Sequence, residues 1–219
     1  MREKSFRHLS KQDPVLARVI KSAKLRPLKP RKNHFKSLVV AIINQQLSTK
    51  AAETIEARFV SLFGGSFHKF RGRSGPSWGE GKFPKPAEIL KVSNKKLRAC
   101  GLSLRKISYI KYLAKAVEQK KIDFKKLQKA TDEEIINTLT RFKGIGRWTA
   151  EMFLIFHLLR PDVLPLKDLG LLKSIDLHYT DGKRLKTSEY AALSERWAPY
   201  RTVATWYLWR ALDPVPVEY

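Results

Sequence analysis

The sequence predicts an all-α protein. Apolar residues recur at spacings of three and four along most of the chain, and helix-start signals precede those stretches. No run alternates at period two for long enough to build a sheet. At 219 residues, 43% of them hydrophobic, the chain suits one domain, or two lobes sharing a long interface. It is too apolar to remain disordered.

Each element has its own signal. Asp13 before Pro14 reads as an N-cap with proline at the first helical position, opening PVLARVIKSAK. A basic, proline-punctuated linker follows, LRPLKPRKNH, residues 25–34. Phe35, Leu38, Val39, Ile42 and Ile43 then line one helix face. Ile55, Phe59, Leu62 and Phe63 line the next, which Gly64-Gly65 ends. Residues 70–82, FRGRSGPSWGEGK, have neither period and predict a basic surface loop. Pro86 opens AEILKVS, and Lys95–Cys100 forms a short helix before Gly101. Ile107, Ile110, Leu113, Ala114 and Val117 mark a further helix. Thr131 with Glu134 makes a capping box for EEIINTL. After a short connection over Arg141–Ile145, Ala150, Phe153, Leu154 and His157 share a helix face. PDVLPLKDLGLLKSI is an extended connection ending in a short helix, and Ser188–Trp197 and Arg201–Leu212 close the chain. The total is about ten short helices, with no repeat of solenoid length.

Charge narrows the class of partner. Lys and Arg number 44 against 20 Asp and Glu, a formal charge of 44 − 20 = +24. Such a balance favours a polyanion, nucleic acid being the commonest, although plain solubility of a Lys-rich surface accounts for charge as well. The one cysteine, Cys100, excludes a disulfide, a CxxC zinc site and a four-cysteine iron–sulfur cluster. The opening MREKSFRHLSK has no apolar core, and runs such as LVVAII are too short to span a bilayer. A reduced intracellular compartment and no membrane partner are expected.

The chemistry gathers at FKGIGRWTAEMFLIF, residues 142–156. Gly144 and Gly146 allow positive φ and leave the backbone uncovered where a helix starts. Amides at a helix N-terminus and the helix dipole both favour an anion there, and Lys143 and Arg147 add charge. A DNA phosphate is the expected ligand, gripped without regard to sequence. A GxG between helices is also an ordinary tight αα-turn.

The full string, Leu139-x-x-Phe142-x-Gly144-Ile145-Gly146-Arg147-x-Thr149-Ala150, resembles the helix-hairpin-helix of the base-excision DNA glycosylases. Within them the chain is most similar to the DNA-3-methyladenine glycosylase II type. DPVLARVI, FKSLVVAIINQQLSTKAAETI, FPKPAEIL, LRACGLSLRKISYI and ERWAPYRTVATWYLWRALD fit the same pattern. Two departures stand out. Residues 70–82 look like an insertion, and the segment before Phe35 is too short for the N-terminal β-domain of some members.

The resemblance implies a two-lobed helical fold with its active cleft between lobes. It also implies a monomer acting on duplex DNA that contains damaged bases. Its helix-hairpin-helix spans about 132–158. It points to Asp168, 168 − 146 = 22 residues past the second hairpin glycine, as the catalytic carboxylate. Breaking a C1′–N bond develops positive charge on the sugar, which a fixed carboxylate stabilises while orienting water. Read from the residues alone, Asp168 is also a plain N-cap for the helix that follows, and both roles are compatible. Asp162 is the weaker candidate. Trp148 stands where bifunctional relatives carry a lysine nucleophile, so hydrolysis by water without strand cleavage is expected.

Trp148 and Trp209 match aromatic positions of the family's base pocket, with Trp206 and Tyr207 near by. Met152 stands where relatives place another aromatic. Stacking a cationic alkylated purine on such rings adds about 0.5–2 kcal/mol. Aromatics at helical spacing are equally the mark of core packing, and Trp206 stands between the two readings. A flipped-out base leaves a gap, and the INQQLS turn is where the family fills it; Gln46 takes that place, with Leu47 adjacent. Gln45 and Gln46 as caps of helix-end groups is the plainer account. Lys167 and Arg201 are further phosphate candidates. No cofactor is expected, though relatives hold a monovalent cation on hairpin carbonyls. A non-catalytic helix-hairpin-helix module, or a monofunctional glycosylase for another damaged base, are the alternative functions.

Overall fold

A computed structural model describes residues 2–22, 28, 33–47, 49–65, 67–68, 77–78 and 83–212. Helices dominate them. In chain order these are α1 (Arg2–Gln12), α2 (Pro14–Ser22), α3 (His34–Asn44), α4 (Thr49–Ser61), α5 (Pro86–Lys91), α6 (Asn94–Ala99) and α7 (Leu104–Glu118). Then come α8 (Phe124–Leu127), α9 (Asp132–Thr140), α10 (Arg147–Phe156), α11 (Leu169–Tyr179), α12 (Thr187–Ser194) and α13 (Arg201–Leu212). A 3₁₀ turn, Glu195–Trp197, extends α12. Among the described residues there is one strand pair, β1 (Phe67–His68) antiparallel to β2 (Ser77–Trp78). Two-residue strands carry no period to read, which is why no strand is expected there.

The caps explain most boundaries. Asp13 takes the amides of Val15 and Leu16 on Oδ1 at 2.9 and 3.0 Å, starting α2 as expected. The same carboxylate receives Tyr179 Oη–H and Trp197 Nε1–H on Oδ2, both at 2.8 Å, so a fully buried charge is matched by four donors. Thr131 and Glu134 bond each other's backbone reciprocally, opening α9. Gly64, at φ 75°, and Gly65 close the turn after α4 through bonds to Ser61 and Val60 carbonyls.

Three elements differ from expectation. α1 is absent from the sequence reading because only Ser5 and Leu9 of its described side chains are buried, too few to show a period. α8 is a single turn capped by Asp123. α10 was expected to bury one face, yet every residue from Ala150 to His157 is buried, because MFLIF is apolar on all sides. Most of the 25–34 linker and of the 70–82 loop lies outside the described residues.

The chain divides into two compact units, one within 1–30 and 154–217, the other within 31–153. In the first, Leu9, Leu16, Leu171, Ile175, Tyr190, Trp197, Ala204 and Leu208 form a core cluster, with α13 packed on α2 and α11. In the second, α7 packs against α3, α5 and α6. The predicted α3 face, Phe35, Leu38, Val39, Ile42 and Ile43, is wholly buried there, each side chain contributing about 1.5–3 kcal/mol.

Candidate active site

The hairpin belongs to the unit of residues 31–153. α9 ends at Thr140, and Ile145 N–H donates to Phe142 O at 3.0 Å to tighten the connection. Gly144 has φ 91°, and a Cβ there would sit 2.4 Å from Tyr109 Cδ2. Backbone conformation and the Tyr109 ring therefore both demand glycine. Gly146 has an ordinary φ and open space around it, so the expected positive φ holds at Gly144 alone. Its carbonyl receives Ala150 N–H at 3.1 Å, and it brings no capping side chain to the first turn of α10.

The hairpin's charges are arranged differently from expectation. Lys143 is exposed. Arg147 is bound to carboxylates: Nη2 meets Glu133 Oε1 at 2.5 Å, Nη1 meets Oε2 at 3.3 Å, and Nε meets Glu151 Oε1 at 3.0 Å. The Glu133 hydrogen bond is the main reason the guanidinium pKa is raised, and the same bond lowers that of Glu133. Arg147 thus braces α9 against α10, with 46% of its side chain still exposed.

The turn after α3 is anchored to this hairpin. Gln45 Nε2 donates to Gly144 O at 2.7 Å. Lys106 Nζ donates to Ile43 O and to Gln45 O, each at 2.7 Å. Gln46 is left-handed at φ 57° and exposed, and Leu47 is 36% exposed. Trp148 is half-buried, whereas Met152, expected on a pocket wall, is only 4% exposed because α10 is covered on every side from Ala150 onward.

Asp168 lies in the other unit, 6% exposed, as the N-cap of α11. Its Oδ1 accepts Leu171 N–H and the indole N–H of Trp209, each at 2.7 Å. A Cβ on Gly170 would come within 3.2 Å of Oδ1 and 3.5 Å of Trp209, so glycine lets indole and carboxylate meet. Phe156 stacks on Trp209 with centroids 5.8 Å apart at 13°, covering one ring face, and meets Trp206 edge-on at 6.1 Å. Trp206, which the sequence leaves between pocket and core, already carries a cation on its ring. Arg210 lies over its ring at 4.3 Å, and a guanidinium there opposes a cationic base.

Arg201, one of the phosphate candidates, is paired with a carboxylate. Its Nε and Nη2 bond both oxygens of Asp162 at 2.8 and 2.6 Å, and its backbone N–H adds a third bond at 3.1 Å. Asp162 is therefore an anchor for the start of α13. Among the described residues, no group of three or more His, Cys, Asp or Glu is placed to hold a metal ion. No helix there is long and apolar enough to cross a membrane.

A model of the HhH-GPD superfamily of base excision DNA repair proteins matches residues 39–199, the span that holds both the hairpin and Asp168. The chain belongs to this superfamily. Among its relatives, DNA-3-methyladenine glycosylase 1 of Schizosaccharomyces pombe is 38% identical over 209 residues, 93% of this chain and 84% of that protein. The DNA-3-methyladenine glycosylase of Saccharomyces cerevisiae is 32% identical over 239 residues, 93% of this chain and 77% of that one. Two solved structures are alike in fold. The 3-methyladenine DNA glycosylase of S. pombe in complex with abasic DNA has TM-score 0.79 and 36% identity, covering 94% of this chain and 95% of that one. The DNA-3-methyladenine glycosidase of Bacillus halodurans has TM-score 0.78 and 37% identity, covering 95% and 89%.

Sequence reasoning did not single out Phe156, Lys106 or Tyr109, and placed Gln45 only as a cap. Phe156 lies outside the expected apolar face of α10, and the partners of the others are far away in sequence.

Proposed function

We propose that the chain is a monofunctional DNA glycosylase that turns an alkylated purine, of the 3-methyladenine type, out of duplex DNA and hydrolyses its bond to deoxyribose. The C1′–N bond breaks, its electron pair leaves with the cationic base, and water adds to C1′ with loss of a proton. Asp168 is the group that stabilises the sugar cation and orients that water. The observation that carries this reading is the second donor on Asp168. Leu171 N–H already satisfies the helix cap, so the Trp209 indole bond exceeds what starting α11 requires. That surplus orientation favours catalysis over a pure DNA-binding module. Trp148, in the place of a lysine nucleophile, supports simple hydrolysis. The names of the relatives support an alkylated purine as substrate.

The test is base release from methylated duplex DNA. Free alkylated purine is expected with no strand nicking and no borohydride-trapped adduct. Asp168→Asn is expected to lower the release rate about 10²–10³-fold while abasic DNA remains bound. An adduct with nicking, or an Asp168→Asn variant as active as the parent, refutes the mechanism.

A further inference from the structure

The Gln46–Leu47 turn is tied to the hairpin through Gln45 and, by way of α7, through Lys106. Gln45 Nε2 reaches the Gly144 carbonyl at 2.7 Å across 99 residues of sequence. Lys106 Nζ takes the carbonyls of Ile43 and Gln45 at the C-terminal end of α3, both at 2.7 Å. Helix-end carbonyls lack intrahelical partners, and an ammonium there also complements the helix dipole. α7 serves both sides. Lys106 holds the turn, and Tyr109, three residues on and so on the same face, packs against Gly144. Gln45 closes the triangle. Between these anchors Gln46 adopts φ 57°, a conformation a non-glycine residue keeps only where its surroundings over-determine it.

We propose that Gln45 and Lys106 are positioning residues for base eversion. They hold the exposed Gln46 and Leu47 at a set distance from the hairpin. A phosphate gripped by the hairpin then places the turn in register with the gap an everted base leaves. Pre-organisation of this kind removes the cost of ordering the turn during insertion. The inference rests on the function proposed above, in which the hairpin grips DNA and the turn fills that gap.

The test reads insertion without chemistry. A duplex carries 2-aminopurine opposite a tetrahydrofuran abasic analogue; stopped-flow emission reports a side chain entering the gap, and anisotropy of an end label reports binding. Gln45→Met keeps the length and shape of the side chain without its donor, and Gln45→Asn keeps the donor but withdraws it by one methylene. Each is expected to slow gap entry about tenfold while the dissociation constant stays within about threefold of the parent. Lys106→Met is expected to act in the same direction. Gap entry at the parental rate in both Gln45 variants overturns the inference. So does a loss of binding as large as the loss of entry, or a parent that binds with no entry signal. A parent that enters the gap yet releases no base from methylated DNA refutes the proposed function and leaves this inference standing.

Discussion

Trp209 sits between two partners, the Phe156 ring and the Asp168 carboxylate. As a pocket aromatic it would act by stacking, yet one ring face is covered by Phe156 and its N–H points at Asp168. Trp209→Phe keeps a ring on Phe156 and removes the donor. Single-turnover base release is expected to slow about tenfold, by a similar factor for cationic and neutral lesions. In an Asp168→Asn background the same change is expected to have little further effect; full additivity would mean that the indole acts on the base alone. Asp162 makes a prediction of the opposite kind, about stability. Burial pushes its pKa up, but the hydrogen bonds and charge of Arg201 outweigh that and leave it lowered. A carboxyl whose folded value lies below its unfolded value stabilises fully above the unfolded value, about 3.9, and loses this as pH falls through the folded one. Asp162→Asn is therefore expected to cost about 1–2 kcal/mol at neutral pH, with the gap to the parent closing in acid, as followed by urea melts.

The hairpin separates its two glycines by what each does. At Gly144 an added methyl meets both a positive φ and the Tyr109 ring at 2.4 Å. Gly144→Ala is expected to cost about 1–3 kcal/mol, seen as a lower melting temperature, and to weaken DNA binding as the turn shifts. Gly146 has open space and ordinary backbone geometry. Gly146→Ala is expected to leave stability within about 0.5 kcal/mol. DNA affinity is expected to fall nonetheless, since a Cβ covers the backbone at the start of α10. Equal effects at the two positions in paired melting and binding titrations would contradict this division.

Across the whole molecule the dominant fact is a formal charge of +24. Counterion release makes the logarithm of affinity fall with the logarithm of salt by about 0.9 for each phosphate neutralised. Non-specific duplex binding is expected to weaken steeply between low and physiological salt, as an anisotropy titration series measures. Arg147 and Arg201 are committed to carboxylates, so their removal is expected to change that slope less than the removal of exposed Lys143.

The identity of most helices, the capping of α2 and α9, the hairpin and the spacing to Asp168 were legible in the sequence, because each depends on residues within a few turns of one another. Resemblance to a family then attached chemistry to that spacing. Tertiary structure alone decided which partner each long polar side chain takes. Arg201 chose Asp162, Arg147 chose Glu133 and Glu151, and Gln45 chose a carbonyl 99 residues away. In a chain with 44 basic residues, local sequence cannot rank those pairings. A hydrogen bond or ion pair needs its atoms within about 3 Å, and packing of distant helices sets that distance.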